Sequence, residues 1–482
     1  MNIISLSRIL AYWAEKQPHG IAVKHNEEYC TWLDIDKTTN RLARAYAALG
    51  VKENDFVTVG LPNSIEFFEA CFAIWKLGAT PQPVSAKLPV FERKQIIEVA
   101  NPSLVLGASP EEHPGFTVLE PGFLPDLLFG DDPLPEVIGR SYKAMTSGGS
   151  TGRPKLIVTT TPSEYDVDDD QFRFQQQGSV LIPGPLYHNG PFMWAMIAMF
   201  KGNQVTITTR FDAEQTLRII QEEKIDTVYL VPTMMQRIWT LPKARRTSYD
   251  VSSLHTLWHL AAPCPKWLKE EFIDWLGASV ILELYGGTEG IGGTKITGEE
   301  WLEHKGSVGK PNETCEIIIL DEDGKELPTG GIGEIYIRPK TGQGSTYRYI
   351  GAEAKSIEGG FESLGDLGYL DKDGYLYLSD RLTDMILSGG ANIYPAEVEA
   401  AIDSLKGVRS SAVIGLPDED LGNIVHAIVD IADEVVTEEE LVSHLAERLV
   451  RYKIPRSIEF VSKPLRDDAG KVRRGSLLKE RT

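Results

Sequence analysis

The most informative part of this 482-residue chain is Thr146-Ser-Gly-Gly-Ser-Thr-Gly-Arg-Pro-Lys155, which places four hydroxyl side chains and three glycines ahead of a lysine. Backbone amides in such a loop can approach phosphate oxygens closely, and the hydroxyls and the ammonium add donors. The loop is therefore a candidate phosphate cradle, with a plain glycine- and serine-rich surface turn as the alternative. A Walker A loop is excluded, because here Pro154 precedes the lysine and a strand-like run, residues 156–160, follows.

Strand-like and helix-like segments alternate on both sides of this loop. A helical pattern at residues 37–49 precedes an apolar run at 56–60, and a second at 64–77 precedes a run at 80–84. The alternation resumes over residues 201–231. Such alternation is typical of βαβ units on a largely parallel sheet, so we predict an α/β fold.

Turn signals toward the C-terminus indicate antiparallel strands. Asp323-Gly324 lies between β-rich runs at residues 317–320 and 333–337, with the longer connection, and Asp373-Gly374 lies between runs at 368–370 and 375–378. An Asp-Gly pair in this setting predicts a turn between two antiparallel strands.

Beyond residue 381 the pattern becomes that of a small α+β unit of about a hundred residues. Pro395 can open a helix to residue 405, and Thr437-Glu-Glu-Glu440 is a capping box for a helix to about residue 450. Strands are predicted at 412–416 and 424–431. We therefore predict a large domain at residues 1–381, a hinge at 382–384 and a small domain at 385–482.

Charge and composition exclude several classes of partner. The 49 lysines and arginines against 69 aspartates and glutamates give a net charge of −20, whereas nucleic acids and acidic membranes select basic surfaces. The apolar stretch 191–200 is shorter than the ~20 residues of a membrane span, and the N-terminus lacks signal-peptide features. The cysteines form no C-x-x-C pair. We expect a soluble cytoplasmic protein, monomeric or homodimeric, that binds no nucleic acid.

Three further segments carry groups suited to chemistry. Ile281-Leu-Glu-Leu-Tyr-Gly-Gly-Thr-Glu-Gly290 is an apolar strand running into a glycine turn, which can present an aromatic ring for stacking and a carboxylate for Mg²⁺, or can be a solvated turn. Ser363-Leu-Gly-Asp366 offers an aspartate that can chelate ribose hydroxyls or cap a turn. Gly470-Lys471 lies in a charged segment that by itself is typical of a mobile tail.

Together and in this order, the four segments resemble the core motifs of the adenylate-forming superfamily, which includes acyl-CoA synthetases, luciferase-like enzymes and the adenylation domains of peptide synthetases. The resemblance spans almost the whole chain. It implies a large N-terminal domain with mixed, largely parallel sheets, helices and a β-barrel-like subdomain, followed by a small mobile α+β domain. It also implies a two-step reaction: a carboxylate attacks the α-phosphate of Mg·ATP to give an acyl-adenylate and pyrophosphate, and the thiol of coenzyme A then displaces AMP.

The resemblance assigns a role to each motif residue. It implies that the catalytic residues are Lys471, Thr288, Glu289 and His188, with Glu289 as the metal ligand, although a buried structural histidine is the alternative for His188. It implies that ATP and AMP are bound by Thr146, Ser147, Gly148, Gly149, Ser150, Thr151, Gly152, Lys155, Ala262, Glu283, Leu284, Tyr285, Gly286, Gly287, Thr288, Asp366, Arg381 and Lys471. It implies that the acyl group is bound by His188, Trp194, Val231, Met235, Ala261, Gly287 and Ile291, that CoA is bound by Gly389 and Gly390, and that Thr383 is the hinge.

Three positions depart from the family pattern. Gly149 replaces a usual hydroxyl, Leu364 replaces the usual threonine before Gly365-Asp366, and Thr383 replaces a common aspartate or lysine. These departures keep open the hypothesis of a catalytically silent nucleotide-binding relative.

The nature of the acid is predicted from the windows expected to line its pocket, which have few charges and favour an apolar acid of some bulk. Segments 184–191 and 300–311 are similar to bacterial bile-acid CoA ligases and to diterpenoid-acid CoA ligases of antibiotic pathways such as that of platensimycin. A polycyclic or alicyclic carboxylate is therefore favoured, with a fatty or aromatic acid as the alternative. No carrier-protein domain follows the small domain, which favours free CoA over a carrier protein as acceptor.

Overall fold

The computed structural model describes residues 2–148, 154–381, 384–388, 391–418, 421–431, 436–467 and 470–482. Up to the glycine-rich loop, helices alternate with strands as the sequence predicts. The elements of this part are β1 (Ile3–Ser5), α1 (Ile9–Lys16), β2 (Ile21–His25), β3 (Glu28–Thr31), α2 (Trp32–Ala48), β4 (Phe56–Val59), α3 (Ile65–Trp75), β5 (Thr80–Pro83), α4 (Val90–Ala100), β6 (Leu104–Leu106), β7 (Val118–Leu119) and β8 (Ala144–Gly148). Strands β5, β4, β6 and β7 form a parallel sheet in that order.

Side-chain caps set where the helices of this part begin. Helix α2 begins at Trp32 rather than near residue 37, because Thr31 and Asp34 form a capping box that the sequence prediction missed. Helix α3 begins directly after Ser64, whose hydroxyl accepts a hydrogen bond from the backbone N–H of Phe67 at 3.2 Å.

The central part of the chain supplies six of the fourteen strands of the large sheet. Its elements are β9 (Pro154–Thr159), β10 (Glu164–Asp166), β11 (Ser179–Ile182), α5 (Asn189–Phe200), β12 (Gln204–Ile207), α6 (Ala213–Glu222), β13 (Thr227–Leu230), α7 (Pro232–Trp239), α8 (Lys243–Arg246), β14 (Thr256–His259), α9 (Lys266–Leu276), β15 (Ile281–Gly286), β16 (Gly293–Thr297) and α10 (Gly298–Glu303). Strands β2, β12, β11, β13, β14 and β15 are parallel neighbours in that order. Their carboxyl ends therefore share one edge, where ligands of open α/β sheets bind.

An antiparallel half continues the same sheet. It contains β17 (Ser307–Pro311), β18 (Cys315–Leu320), β19 (Gly333–Pro339), β21 (Lys355–Ser356), β22 (Glu362–Leu370) and β23 (Leu376–Arg381). Strand β20 (Tyr347–Ile350) lies in the same stretch of chain but belongs to another sheet. Pairing runs from β15 through β16, β17, β23, β22 and β19 to β18, and the two predicted Asp-Gly turns join antiparallel strands. Strands β20, β9 and β8 form a separate antiparallel sheet that carries both ends of the glycine-rich loop.

The C-terminal unit is smaller and has the predicted α+β pattern. Its elements are β24 (Ile386–Ser388), β25 (Ala391–Ile393), α11 (Pro395–Asp403), β26 (Val408–Asp418), β27 (Gly422–Ile431), α12 (Glu438–Ala446), β28 (Ser457–Val461) and α13 (Arg474–Lys479). The capping box of Thr437 and Glu440 is confirmed, although α12 ends at Ala446 instead of near residue 450.

Separate apolar clusters support these parts. One large cluster lies around the parallel strands and includes nearly all of α3 and α5. A second cluster lies in the antiparallel half, and a third is formed within residues 386–460. Within the described part of the chain, no helix is long and apolar enough to cross a membrane. The domain boundary at residues 382–384 stays a prediction.

Candidate active site

A buried chain of hydrogen bonds holds the strand that enters the glycine-rich loop. The Thr58 hydroxyl donates to Gln82 Oε1 at 2.6 Å, and Gln82 Nε2 donates to Thr146 Oγ1 at 2.6 Å. Thr58 and Gln82 are both fully buried. The chain therefore fixes the rotamer of Thr146 on β8. Sequence reasoning missed Gln82, whose signal is a polar residue between two prolines in an apolar run.

The predicted loop residues are only partly described. Thr146 pairs with Leu156, and Ser147 pairs with Lys155, across the antiparallel strands β8 and β9. Ser147 and Gly148 are the last two residues of strand β8. The predicted contacts of Gly149, Ser150, Thr151 and Gly152 lie outside the described residues.

Glu289 lies at the centre of the site, just beyond the end of β15. It is buried, and its Oε1 accepts a hydrogen bond from the Tyr349 hydroxyl at 2.6 Å. The Lys155 Nζ is 4.0 Å from the same oxygen and 3.9 Å from the centre of the Tyr349 ring. Burial and the nearby carboxylate together raise the pKa of Tyr349 above its ordinary value, so the phenol stays a donor.

This donor set fits a magnesium ion. Mg²⁺ prefers hard oxygen ligands and is commonly held by one or two carboxylates together with substrate phosphates. Glu289 supplies the carboxylate and Tyr349 orients it. Sequence reasoning found Glu289 by its motif but missed Tyr349, which is 60 residues away along the chain.

The turn after β15 is packed against the ends of β22 and β23. The Tyr285 hydroxyl donates to Asp366 Oδ2 at 2.9 Å, and Asp366 pairs with Arg381 across the two strands. A Cβ added at Gly287 would lie 2.5 Å from Leu364 Cδ1 and 2.7 Å from Glu289 Oε2. A side chain at position 287 would therefore require Leu364 and Glu289 to move, and Leu364 occupies this space where the family pattern has a threonine. The structure thus brings the second and third predicted motifs together.

Glu283 is engaged by the protein itself. Its Oε2 accepts a hydrogen bond from the buried Lys269 at 2.6 Å, and its backbone pairs with β14 on one side and β16 on the other. His259 Nε2 is 3.8 Å from the same oxygen, and burial holds the pKa of His259 well below its ordinary value. The Glu283 side chain is therefore paired within the protein, and its predicted role in nucleotide binding stays a prediction.

The other predicted site residues near the ends of β15 and β14 are more exposed to solvent than Glu283. Leu284, Gly286 and Thr288 lie along the end of β15 and the turn that follows, and all three are exposed or half-buried. After β14, Ala262 is half-buried and Ala261 is exposed with a φ of +72°. These positions face the carboxyl edge of the sheet, where the prediction placed them.

The predicted acyl-binding residues fall into two groups. His188 is the N-cap of α5, and Trp194 on that helix has its ring 5.5 Å from that of Tyr229. Val231 and Met235 are buried at the start of α7, in the same large apolar cluster as Trp194. Ile291 instead belongs to the cluster of the antiparallel half. The structure therefore brings Trp194, Val231 and Met235 into one cluster but not Ile291.

A buried lysine next to α5 was missed by sequence reasoning. Lys143 is 4% exposed, and its Nζ donates to Asn189 Oδ1 and lies 3.0 Å from Met193 Sδ. Within the described ranges, no carboxylate lies within 4 Å of it. Burial lowers the pKa of Lys143 to about 7, while the charge of Glu289 acts in the opposite direction. Its one signal in the sequence is a lysine that directly precedes the apolar pair Ala144-Met145.

The C-terminal unit contributes a hairpin that we call the lysine arm, residues 466–474. Arg466 and Val472 form an antiparallel bridge, and the Lys471 N–H donates to Asp467 Oδ1 at 2.9 Å. Gly470 is buried with a φ of +78°, and a Cβ there would lie 2.7 Å from Thr233 Oγ1. The same Cβ would lie 3.3 Å from Val231 Cγ2. The arm is thus seated on the start of α7.

The structure therefore places Gly470, the residue directly before Lys471, against the predicted acyl-binding residue Val231. A second contact joins α7 to helix α11 of the small unit, because Gln236 Nε2 donates to the backbone oxygen of Asp403 at 3.4 Å. The predicted hinge residue Thr383 and the predicted CoA contacts Gly389 and Gly390 lie outside the described residues. Arg381 is described as a strand residue.

Comparison with known proteins identifies the class. The chain matches the family model for AMP-binding enzymes over residues 10–347 and the model for the AMP-binding enzyme C-terminal domain over residues 397–471. The fold is that of the adenylate-forming enzymes, and the chain belongs to the AMP-binding enzyme family.

Individual relatives narrow the class. The chain is 31% identical to a feruloyl-CoA synthase of Amycolatopsis sp., covering 96% of both chains. It is also 31% identical to a 2-succinylbenzoate–CoA ligase of Bacillus licheniformis, covering 96% of this chain and 98% of the relative. The solved o-succinylbenzoate CoA synthetase of Bacillus subtilis, in complex with its acyl-adenylate intermediate, superposes with a TM-score of 0.83 at 26% identity, covering 99% of this chain and 98% of that one. The protein is thus an ATP-dependent, AMP-forming acyl-CoA ligase.

Proposed function

We propose that the protein activates a bulky, largely apolar carboxylic acid, of the alicyclic, diterpenoid or steroid-like kind, as an acyl-adenylate and transfers it to coenzyme A. The observation that carries this proposal is the seating of the lysine arm on Val231 and Thr233. Val231 belongs to the apolar cluster that also holds Trp194 and Met235, and Lys471 directly follows the seated Gly470. An apolar acid in that region would present its carboxylate to Lys471.

In the first step, a carboxylate oxygen attacks the α-phosphorus of ATP, and the bond from phosphorus to pyrophosphate breaks. Two negative groups approach each other, so the Lys471 ammonium would offset their repulsion while Lys155 adds a second cation. Tyr349 keeps the Glu289 carboxylate oriented. Magnesium held by Glu289 would supply charge neutralisation at the phosphates.

In the second step, the thiolate sulfur of CoA attacks the acyl carbon, and the bond from that carbon to the AMP oxygen breaks. This step needs no cation between carboxylate and phosphate. In the proposed cycle the small unit therefore rotates about residues 382–384, withdrawing Lys471 and presenting Gly389 and Gly390 to the thiol. We place the reaction in the cytoplasm, because all four cysteines are free thiols.

An aromatic acid is the second candidate. Two relatives that cover almost the whole chain are named for aromatic acids, feruloyl and 2-succinylbenzoate. The aromatic side chains around Trp194, namely Phe172, Tyr229 and Trp258, would suit a flat ring as well as an alicyclic one.

The deciding experiment is a panel of fatty, aromatic, steroidal and diterpenoid acids, scored for AMP and for CoA-thioester. We expect the highest kcat/KM with a polycyclic acid. A maximum with flat aromatic acids would establish the second candidate instead. Pyrophosphate release without thioester from free CoA would point to a carrier protein as the acceptor, and no acid-dependent AMP at all would contradict the whole proposal.

A further inference from the structure

A single buried carboxylate holds both ends of the lysine arm. Glu399 lies on α11 and is 5% exposed. Its Oε1 accepts hydrogen bonds from Arg474 Nη2 at 2.7 Å and from the Val413 N–H at 2.8 Å, while its Oε2 accepts one from Arg466 Nη2 at 3.0 Å. Arg466 begins the arm and Arg474 ends it, so Lys471 lies between two residues that share one anchor.

The same arginines make further contacts that restrict the arm. Arg466 Nη1 donates to the backbone oxygen of Gly470 at 3.3 Å, directly beside the lysine, and its Nη2 donates to that of Ser411 at 3.2 Å. Arg474 Nη1 donates to Asp384 Oδ2 at 2.6 Å. Asp384 lies at the edge of the predicted hinge. The network around Glu399 therefore extends from the hinge to the residue next to Lys471.

Apolar packing does little to fix the arm. Among the described residues of the arm and of α13, only Gly470 is buried. The rest of the small unit has its own apolar cluster, to which α11 contributes Val398 and Ile402. Contacts of the charged groups, rather than burial of apolar surface, thus determine where the arm lies relative to the rest of the unit.

A purely stabilising role is the simpler alternative for Glu399. However, a buried ion pair is weak evidence for stability, because the cost of removing its charges from water offsets much of their attraction. Such a cluster instead fixes relative positions, because two guanidinium groups that bind one carboxylate can adopt few relative orientations.

We propose that Glu399 is a positioning residue for adenylation: through Arg466 and Arg474 it holds Lys471 at the place where carboxylate and α-phosphate meet. This inference rests on the proposed function. It predicts an effect confined to the first half-reaction, because the second half-reaction does not use Lys471.

The test compares Glu399→Gln with wild type in two assays. The substitution keeps the side-chain volume and removes the charge that holds two arginines. We expect acid-dependent ATP–pyrophosphate exchange to fall at least ~10-fold and up to ~100-fold, since a misplacement of about 1 Å can cost ~100-fold in rate. Thioester formation from preformed acyl-adenylate and CoA should stay within ~2-fold.

The matched control is Glu397→Gln, on the same helix two residues away. Glu397 forms an ion pair with Lys453 at 2.6 Å and none with those residues of the arm that the structure describes. The same chemical change there should leave both half-reactions within ~2-fold, because it removes a pair that lies outside the network.

Two results would overturn the inference: a fall in exchange of less than ~10-fold, or an equal fall in both half-reactions. If Glu399→Gln does not fold, Arg466→Lys decides by the same comparison, because lysine keeps the charge but cannot make all three contacts. Failure of the proposed function has a different signature, namely wild-type exchange in Lys471→Ala. Loss of exchange in Lys471→Ala together with normal exchange in Glu399→Gln would contradict this inference alone.

Discussion

Lys471 is an exposed side chain beside a buried glycine, which is the arrangement needed to bring a mobile cation to a ligand. We expect Lys471→Ala to lose acid-dependent ATP–pyrophosphate exchange by ~100-fold or more, because its charge is needed only while two anions approach. Thioester formation from preformed acyl-adenylate should be partly retained. The two half-reactions are measured separately with labelled pyrophosphate and with purified adenylate. Exchange at the wild-type rate would remove Lys471 from the mechanism.

Tyr349 contacts Glu289 and is expected to act through it. In Tyr349→Phe the carboxylate loses a donor at 2.6 Å, and loss of such a partner typically weakens metal binding 10- to 100-fold. The Mg²⁺ concentration for half-maximal activity should therefore rise about 10-fold, with a smaller change in kcat at saturating Mg²⁺. Tyr377→Phe is the matched control, because it removes a tyrosine-to-carboxylate hydrogen bond to Asp371 instead. An unchanged Mg²⁺ requirement in Tyr349→Phe would show that Tyr349 does not orient Glu289.

Lys143 should make stability depend on pH. Its pKa falls from an ordinary value near 10.5 to about 7, so the folded state disfavours the charged amine. Below pH 7 the amine is protonated in both the folded and the unfolded state, so the folded state carries the full cost of burying its charge. Between about pH 7 and 10.5 the unfolded chain keeps a proton that the folded one has released, so stability rises with pH.

Replacing this lysine by an uncharged side chain should remove that cost. We expect Lys143→Met to raise the free energy of unfolding by roughly 2–4 kcal/mol at pH 6, with the gain shrinking toward pH 10. Urea titrations at several pH values measure this difference. Lys201→Met is the control, and it should lower the free energy of unfolding. Lys201 is equally buried, but it donates to the backbone oxygens of Val167 and Asp169. A gain that does not vary with pH would refute the explanation.

The backbone conformation of the lysine arm at Gly470 should affect the adenylation step directly. Alanine at position 470 would place a methyl group 2.7 Å from Thr233 Oγ1 and would strain a φ of +78°. We expect Gly470→Ala to lower ATP–pyrophosphate exchange by at least ~10-fold while sparing the thiol step, since the arm could no longer seat on α7. Thermal unfolding of Gly470→Ala checks that the fold is intact. Thr233→Ser serves as a control that keeps the hydroxyl. Equal loss in both half-reactions would contradict this account.

The elements themselves were largely predictable from sequence. Strands β9 and β15 and helices α3 and α11 follow from apolar periodicity and local signals such as Ser64 and Pro395, which act within one or two turns of chain. The start of α2 was missed because the helical pattern was read from residue 37, beyond its capping box.

Candidate site residues that lie within sequence motifs could be predicted, whereas residues that only the tertiary structure brings next to them could not. Glu289, Asp366 and Lys471 were found by their motifs. Tyr349 and Tyr285 contact Glu289 and Asp366 through the pairing of distant strands, and Thr233 lies against Gly470 through the seating of the arm, which no local pattern encodes. Lys143 was missed for a related reason, because its burial depends on packing against α5.

At the scale of the whole molecule, the two units should unfold separately. Their apolar clusters are distinct, and the contacts between α7 and the small unit described above are few. Calorimetry should show two transitions, the smaller with an enthalpy of about 70 kcal/mol for roughly 100 residues. A chain ending at Asp384 should lose the smaller transition and keep the larger at the same temperature. One transition that moves as a whole would mean that the units stabilise each other strongly.

The ion cluster around Glu399 has a consequence for how such enzymes can be recombined. Its members Arg466 and Arg474 lie in the small unit, and Asp384 is the last residue of the predicted hinge. The alignment of the lysine is therefore carried by the small unit as an internal property and does not need to be rebuilt by its host. If the small unit is fused to a related large domain, Lys471 should already be correctly positioned within the small unit. Whether the chimera is active would then depend on the contact between the lysine arm and α7.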